Sequence, residues 1–468
     1  MDICIHFFNM THSAILAITA SELGIKAAQL ILSLSILIIF HEFGHYITAR
    51  WFKCRVEKFF LFFDPWFSIF KKKVGDTEYG IGWLPLGGYV KIAGMIDESM
   101  DKEAMKNPPQ EWEFRSKPAW QRLIIMIGGV TVNVLLAFII YAMILFVWGE
   151  KKIPMTSLKN GIWVTDSLLY KSGLRNGDKI VAVNNQPVEY YEQLNAAVIT
   201  GNSVQLERDG RQQSIILPVN LIEQLVEGKG KKGLLLMPRV PAIIGGLSPK
   251  DTGYAVKAGL KEGDLITAID GNPIQFFDDM SPLIAAKKSG TVLLSVKRND
   301  QELLLTSNVN AEGKIGIPVL SNEAYDQMGV IKIERKKYSL LSAFPAGVNK
   351  TFQKLGFYVD QFKLILNPDT GAYKGVGGFK SMGSIFPETW DWESFWNITA
   401  FFSIVLAFMN LLPIPALDGG HVLFTLVEMI TKRKPSQKFL EYAQMAGMII
   451  LFGLLIYANA NDFLGWNK

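Results

Sequence analysis

His41-Glu42-Phe43-Gly44-His45 sits inside an apolar run: residues 29–40 read Gln-Leu-Ile-Leu-Ser-Leu-Ser-Ile-Leu-Ile-Ile-Phe, and Tyr46-Ile47-Thr48-Ala49 follow. Residues four apart share one face of a helix, so His41 and His45 can present two imidazole nitrogens to a single metal ion. Glu42 stands one step round from that face, within reach of a water on the same ion. Zinc held this way keeps an open coordination position, lowers the pKa of its water and lets a neighbouring glutamate take the proton. Ionisable side chains inside a membrane span are costly enough to mark function. The span is expected over residues 24–48.

The 468 residues are 49% hydrophobic and only 19% charged, with a mean hydropathy of +0.20, which points to a membrane protein that also carries soluble parts. A net charge of +5 is small for this length and gives no reason to propose nucleic-acid binding. Cys4 and Cys54 flank the first span and would lie on opposite sides of a bilayer, so they predict neither a disulfide nor a metal site. Residues 1–21 hold no Lys or Arg and do not read as a cleaved signal peptide; His6 and His12 read as parts of a solvated tail.

After the first span comes a basic segment with Arg50, Lys53, Arg55, Lys58 and Lys71-Lys72-Lys73, continuing to Lys91, Arg115, Lys117 and Arg122. The positive-inside rule makes it cytoplasmic and puts the N-terminus outside. Within it, Glu78 to Ile92 reads as a strand pair, with Gly80, Gly82, Gly87, Gly88 and Pro85 allowing a sharp turn and close backbone approach. This is either an ordinary hairpin or an exposed edge beside the metal that receives an extended substrate by strand addition. A second span is expected over 122–148, where Gly128, Gly129, Thr131 and Asn133 suit close helix packing; Asn133 reads as helix–helix glue.

From 152 to 335 the composition is that of a soluble protein, and it repeats. Ser172-Gly-Leu-Arg-Asn-Gly-Asp-Lys-Ile returns 86 residues later as Ala258-Gly-Leu-Lys-Glu-Gly-Asp-Leu-Ile, and both copies run on through an apolar–polar alternation to Asn/Asp-x-x-Pro, then a short helical stretch and two strands. The pattern resembles the PDZ domain, whose fold captures peptides by strand addition; a spacing or steric role is the alternative. Residues 336–396 have helical periodicity with aromatics on the apolar side, as expected of a helix lying on a membrane surface, and end in Trp390, Trp392 and Trp396.

A third span, 396–412, breaks at Pro413 and Pro415 and leads into Asp418-Gly419-Gly420-His421. Irregular backbone at membrane depth has to be buried in protein or line a cavity. Asp418 is therefore the natural third metal ligand, unless it caps the helix that follows. His421 reads as structural. Asn410 either holds substrate backbone or an oxyanion, or stabilises the broken helix. Lys432-Arg433-Lys434 marks a cytoplasmic connection to a fourth span over 439–458.

Together the His-Glu-Phe-Gly-His motif, the Gly/Pro-rich stretch 80–94, Phe114-Arg-Ser-Lys-Pro-Ala-Trp120, the tandem repeat and Asn410-Leu-Leu-Pro-Ile-Pro-Ala-Leu-Asp-Gly-Gly-His421 resemble the site-2 protease family of intramembrane zinc metalloproteases. The nearest type is the bacterial regulator of sigma-E protease with tandem PDZ domains. The resemblance implies one Zn2+ held by His41, His45 and Asp418, Glu42 as general base and Asn410 positioning substrate. It implies single-pass membrane substrates, such as anti-sigma factors and remnant signal peptides, cleaved in the bacterial inner membrane. One departure is that Gly129 is followed by Val130, where the family often has proline.

The expected fold is a polytopic α-helical membrane protein with four spans, a cytoplasmic-side β-hairpin or sheet and two β-rich PDZ domains outside, as are both termini. Its expected segments are 1–50 (tail and first span), 51–121 (loop with the hairpin), 122–150 (second span), 151–235 and 236–335 (the PDZ pair), 336–395 (interfacial segment) and 396–468 (third and fourth spans). A membrane scaffold with structural histidines and an ion transporter compete with the protease reading, but neither accounts for Glu42 and Asp418 together. Iron or cobalt would also suit the ligands.

Overall fold

The computed structural model describes residues 20–85, 87–95, 108–228, 234–247 and 253–464. Cys4, His6 and His12 lie outside them. The chain forms two compact units. One comprises Glu150–Lys336 with Asp369–Gly371; the other holds the described residues up to Gly149, then Lys337–Pro368 and the chain from Ala372 onward.

Among its described residues the second of these units contains four helices long and apolar enough to cross a membrane: Ser21–Trp51, Ala119–Val147, Trp392–Leu411 and Gln437–Leu464. Glycine sets how closely the first two pack. Gly44 lies on the Gly128 carbonyl and Gly128 on that of Gly44, where neither position has room for a Cβ. The second helix runs unbroken past Gly129-Val130. The third is tied to the first by Thr399 Oγ1 donating to Ser33 Oγ at 3.0 Å, and to the second by Ser403 donating to the Asn133 backbone carbonyl at 2.8 Å.

Of the segment 336–395 expected at the membrane surface, Leu340–Leu366 forms one long helix that packs along two of the spans, followed by short helical turns and the helix Phe379–Ser384. A Cβ on Gly347 would meet the Ala142 backbone nitrogen at 2.6 Å, Phe352 rests on Phe138, and Tyr358 and Phe362 both stack edge-on to Phe408.

Between the first two spans lies a sheet of β1 (Val56–Leu61), β2 (Phe63–Val74), β3 (Thr77–Leu84) and β4 (Tyr89–Ile92), in the order β2-β3-β1-β4. The expected strand pair across Glu78–Ile92 is therefore corrected. β3 pairs with β2 and, in parallel, with β1, while β4 pairs with the far side of β1. β1 thus lies between β3 and β4, and β4 does not fold back onto β3. This leaves one edge of β4 without a partner strand among the described residues.

In the other unit, each copy of the repeat builds a four-stranded sheet with the same order. In the first copy the sheet runs Arg211–Ile216, Ser203–Arg208, Lys179–Val183, Gln186–Pro187; in the second it runs Gln301–Asn308, Thr291–Arg298, Leu265–Ile269, Asn272–Pro273. The Gly-Asp of the repeat is explained by one ion pair per copy, between a buried aspartate and a partly exposed arginine. Arg208 grips Asp178 at 2.6 and 2.8 Å and donates to the Gly173 carbonyl; Arg298 grips Asp264 at 2.6 and 2.7 Å and donates to that of Gly259. Strand Glu150–Lys152 pairs antiparallel with Glu334–Lys336, so the chain enters and leaves this unit side by side.

Asp264 is 1% exposed, so Arg298→Leu strands a buried carboxylate. We expect a loss of about 3–5 kcal/mol in thermal or urea unfolding. Burial pushes the Asp264 carboxyl up, but the Arg298 hydrogen bonds and the Lys261 amide outweigh it and hold it below the usual range. The stabilisation is thus fully present above the unfolded-state value near ~3.9 and fades as the pH falls towards the lower folded-state value. The gap between wild type and variant therefore narrows in acid.

Candidate metal centre

His41 and His45 occupy successive turns of the first span and are buried, at 8% and 6% exposure. The third span ends at Leu411 because Pro413 and Pro415 supply no backbone N–H. The chain turns back through Ala416, at φ +82°, and restarts as the helix Asp418–Thr431. Gly419 and Gly420 make this sharp return possible: each lies against loop backbone, at Leu411–Leu412 and Ile414–Pro415, where a Cβ has no room. Leu417 is the N-cap and has no side-chain cap bond. Asp418 points at the histidines.

His45 Nε2 is 3.2 Å from Asp418 Oδ2, His41 Nε2 is 3.3 Å from the same oxygen, and the two imidazole nitrogens are 3.3 Å apart. A tetrahedral zinc with ligands at about 2.0 Å requires ligand–ligand edges of roughly 3.3 Å. The donor set and its spacing fit that ion, with the fourth position open.

The outer ring nitrogens are also held. His45 Nδ1 lies 2.9 Å from the Ile125 carbonyl, so it carries the proton and leaves Nε2 free as a ligand. His41 Nδ1 lies 3.1 Å from the Asn133 side-chain amide nitrogen, while Asn133 Oδ1 is buried with no partner among the described residues. Amide oxygen and nitrogen are interchangeable in shape, and turning the amide lets Oδ1 accept from His41 Nδ1–H. Asn133 thus holds the His41 ring rather than serving only as helix glue. The sequence signal was its position one turn beyond Gly129, which itself lies against both imidazoles.

The centre opens into a cavity of about 770 Å³ whose walls include Glu42, Asn410, His421, Gly87, Gly88 and β4. Asn410 Nδ2 is 3.4 Å from His41 Nε2. The Val90 backbone N–H of β4 reaches the Glu42 carboxylate. A Cβ on Gly88 would meet Ile38 Cγ2 at 2.5 Å and the Phe60 carbonyl oxygen at 2.7 Å. Gly80 and Gly82, grouped with these as substrate-binding in the sequence reading, are not among the cavity's lining residues. They sit in β3, covered by the Phe60 ring and by the Phe62–Phe63 backbone.

The profile of peptidase family M50 matches residues 29–454, from the first span to the fourth. The chain belongs to this family. It is 27% identical to a protein of Xylella fastidiosa named as a candidate zinc metalloprotease, covering 93% of this chain and 98% of the relative. It is 28% identical to a likewise named protein of Vibrio cholerae, over 92% of this chain and 97% of the relative. The regulator of sigma-E protease RseP of Escherichia coli is 26% identical over 93% and 98%. The M50 chain described here is thus a zinc metalloprotease of the site-2 type.

A methyl at position 129 would press on both imidazoles. Gly129→Ala is expected to lose bound zinc, measured by mass spectrometry of the purified protein, while Gly24→Ala, in open space, retains it.

Proposed function

We propose that this M50 protease hydrolyses peptide bonds in or near the transmembrane segments of single-pass membrane proteins. Anti-sigma-factor-like proteins and remnant signal peptides are the substrate classes, and the bacterial inner membrane is the site of action. The observation that carries the reading is the convergence of two imidazoles, a carboxylate and Glu42 on one cavity within a bundle of membrane-length helices, with strand β4, at the sheet's edge among the described residues, in its wall.

In this reading His41, His45 and Asp418 hold zinc, which when bound supplies Lewis-acid polarisation of a carbonyl and a water of lowered pKa. Glu42 takes the proton of the attacking water and returns it to the departing amine nitrogen. Asn410, at the open side of His41, donates from Nδ2 to the substrate's carbonyl oxygen. A helical substrate has its carbonyls engaged in its own i→i−4 ladder and must unwind first. Strand addition to β4, beside Gly87 and Gly88, holds the unwound stretch extended.

Sidedness follows from the charges. The basic stretch from Arg50 to Arg122 keeps the sheet and the metal centre towards the cytoplasm, so the two repeats and both termini lie outside. As PDZ domains there, the repeats admit substrates already shortened on the outer side and exclude bulky intact ones.

The test is cleavage of a tagged single-pass protein by the purified enzyme in detergent, with zinc measured in parallel. Glu42→Gln should lower the rate by about 10²–10⁴-fold and keep its zinc. Equal cleavage by the variant would overturn the assignment of Glu42 and reopen the scaffold reading.

A further inference from the structure

The loop that delivers Asp418 depends on the fourth span. Within Leu412–Leu417, Pro413 and Pro415 have no N–H, and three of the other donors are satisfied locally. Leu412 N–H donates to Met409, Ile414 to Leu412 and Leu417 to Ile414. The fourth donor, Ala416 N–H, leaves the loop: it donates to Gln444 Oε1 of the helix Gln437–Leu464 at 3.2 Å.

Two further observations mark this contact as built. Gln444 is 5% exposed on a helix that otherwise shows large apolar side chains outward, including Ile449, Ile450 and Phe452. One turn along the same face, Gly447 lies so close to the Pro415 carbonyl that no side chain fits between them. Ala416 is also the residue whose left-handed backbone an L side chain adopts reluctantly. An unpaired N–H at membrane depth would favour a relaxed loop, and Asp418 follows two residues later.

We infer that Gln444 is a positioning residue of the metal centre: by accepting from Ala416 N–H it holds the turn that places Asp418 opposite His41 and His45. The inference rests on the metalloprotease reading of that centre. It makes the fourth span, which supplies no ligand, a determinant of metal affinity. The Gln444 side chain also lines the cavity, so the clamp sits where an incoming substrate passes.

The test uses the full-length protein in detergent, with Co2+ as a spectroscopic probe and a competing chelator to read metal affinity. Gln444→Leu removes the acceptor at similar volume; Gln444→Glu keeps an acceptor at the same reach. We expect Gln444→Leu to weaken metal binding by about 10- to 100-fold and to change the Co2+ visible spectrum. Gln444→Glu should restore both towards wild type, and Ile449→Ala, on the outward face of the same helix, should match wild type. Wild-type affinity and spectrum in Gln444→Leu would overturn the inference whatever its cleavage rate. If Gln444→Leu fails to fold, Gln444→Glu decides: near-wild-type binding supports the acceptor role, and binding weakened by the same 10- to 100-fold overturns it. A wild-type protein that binds neither Zn2+ nor Co2+ would instead overturn the metalloprotease reading itself.

Discussion

His41 Nε2, His45 Nε2 and Asp418 Oδ2 stand 3.2–3.3 Å apart at membrane depth, where polar groups need partners within the protein. Much of the packing around them serves that spacing. His41 and His45 meet it cheaply because one helical turn sets their spacing. Asp418 does not, since it comes from a different part of the chain and arrives through a broken helix. Its carboxylate is placed only if every N–H and C=O freed by Pro413 and Pro415 is re-satisfied or packed. The loop's own short-range bonds satisfy three of its four N–H groups, and the Ala416–Gln444 bond satisfies the fourth.

Close approach of backbones is the second constraint. Gly44 with Gly128, Gly129 with the imidazoles, Gly419 and Gly420 with the returning loop, and Gly447 with Pro415 all mark places where a methyl group has no room. Apolar side chains gain little from meeting each other when lipid is the alternative. Small residues that allow van der Waals contact and interhelical hydrogen bonds therefore hold the spans together. The bond from Ser403 to the Asn133 carbonyl, and that from Thr399 to Ser33, belong to the same economy.

The sheet beside the centre and the repeats of the other unit use strand chemistry in two ways. In β1–β4 the order β2-β3-β1-β4 puts β4 at the sheet's edge among the described residues and in the cavity wall, with Val90 N–H turned to Glu42. In each repeat the strands cover buried apolar side chains, and a buried aspartate is held by a partly exposed arginine. The pair is specified by a Gly-Asp in one loop and an arginine at the end of a strand some thirty residues on. This explains why the motif recurs with so little variation between the copies.

Local patterns in the chain were enough to reveal the four spans, the metal motif, the internal repeat and the break that brings Asp418 near the histidines. Each depends on helical spacing, apolar length or proline chemistry that acts over a few residues. The tertiary structure decided the rest. Asn133 turns out to face His41, because the second span's rotation is set by Gly128 and Gly129 meeting the first. Gly80 and Gly82 turn out to be packing positions because β1 lies between β3 and β4, a choice made by pairing between strands far apart in sequence. Gln444 was silent for the same reason: a glutamine in an apolar helix signals a buried partner, but only folding names it. Contacts between distant segments carry no periodicity along the chain, so their physical cause appears only when the segments are packed together.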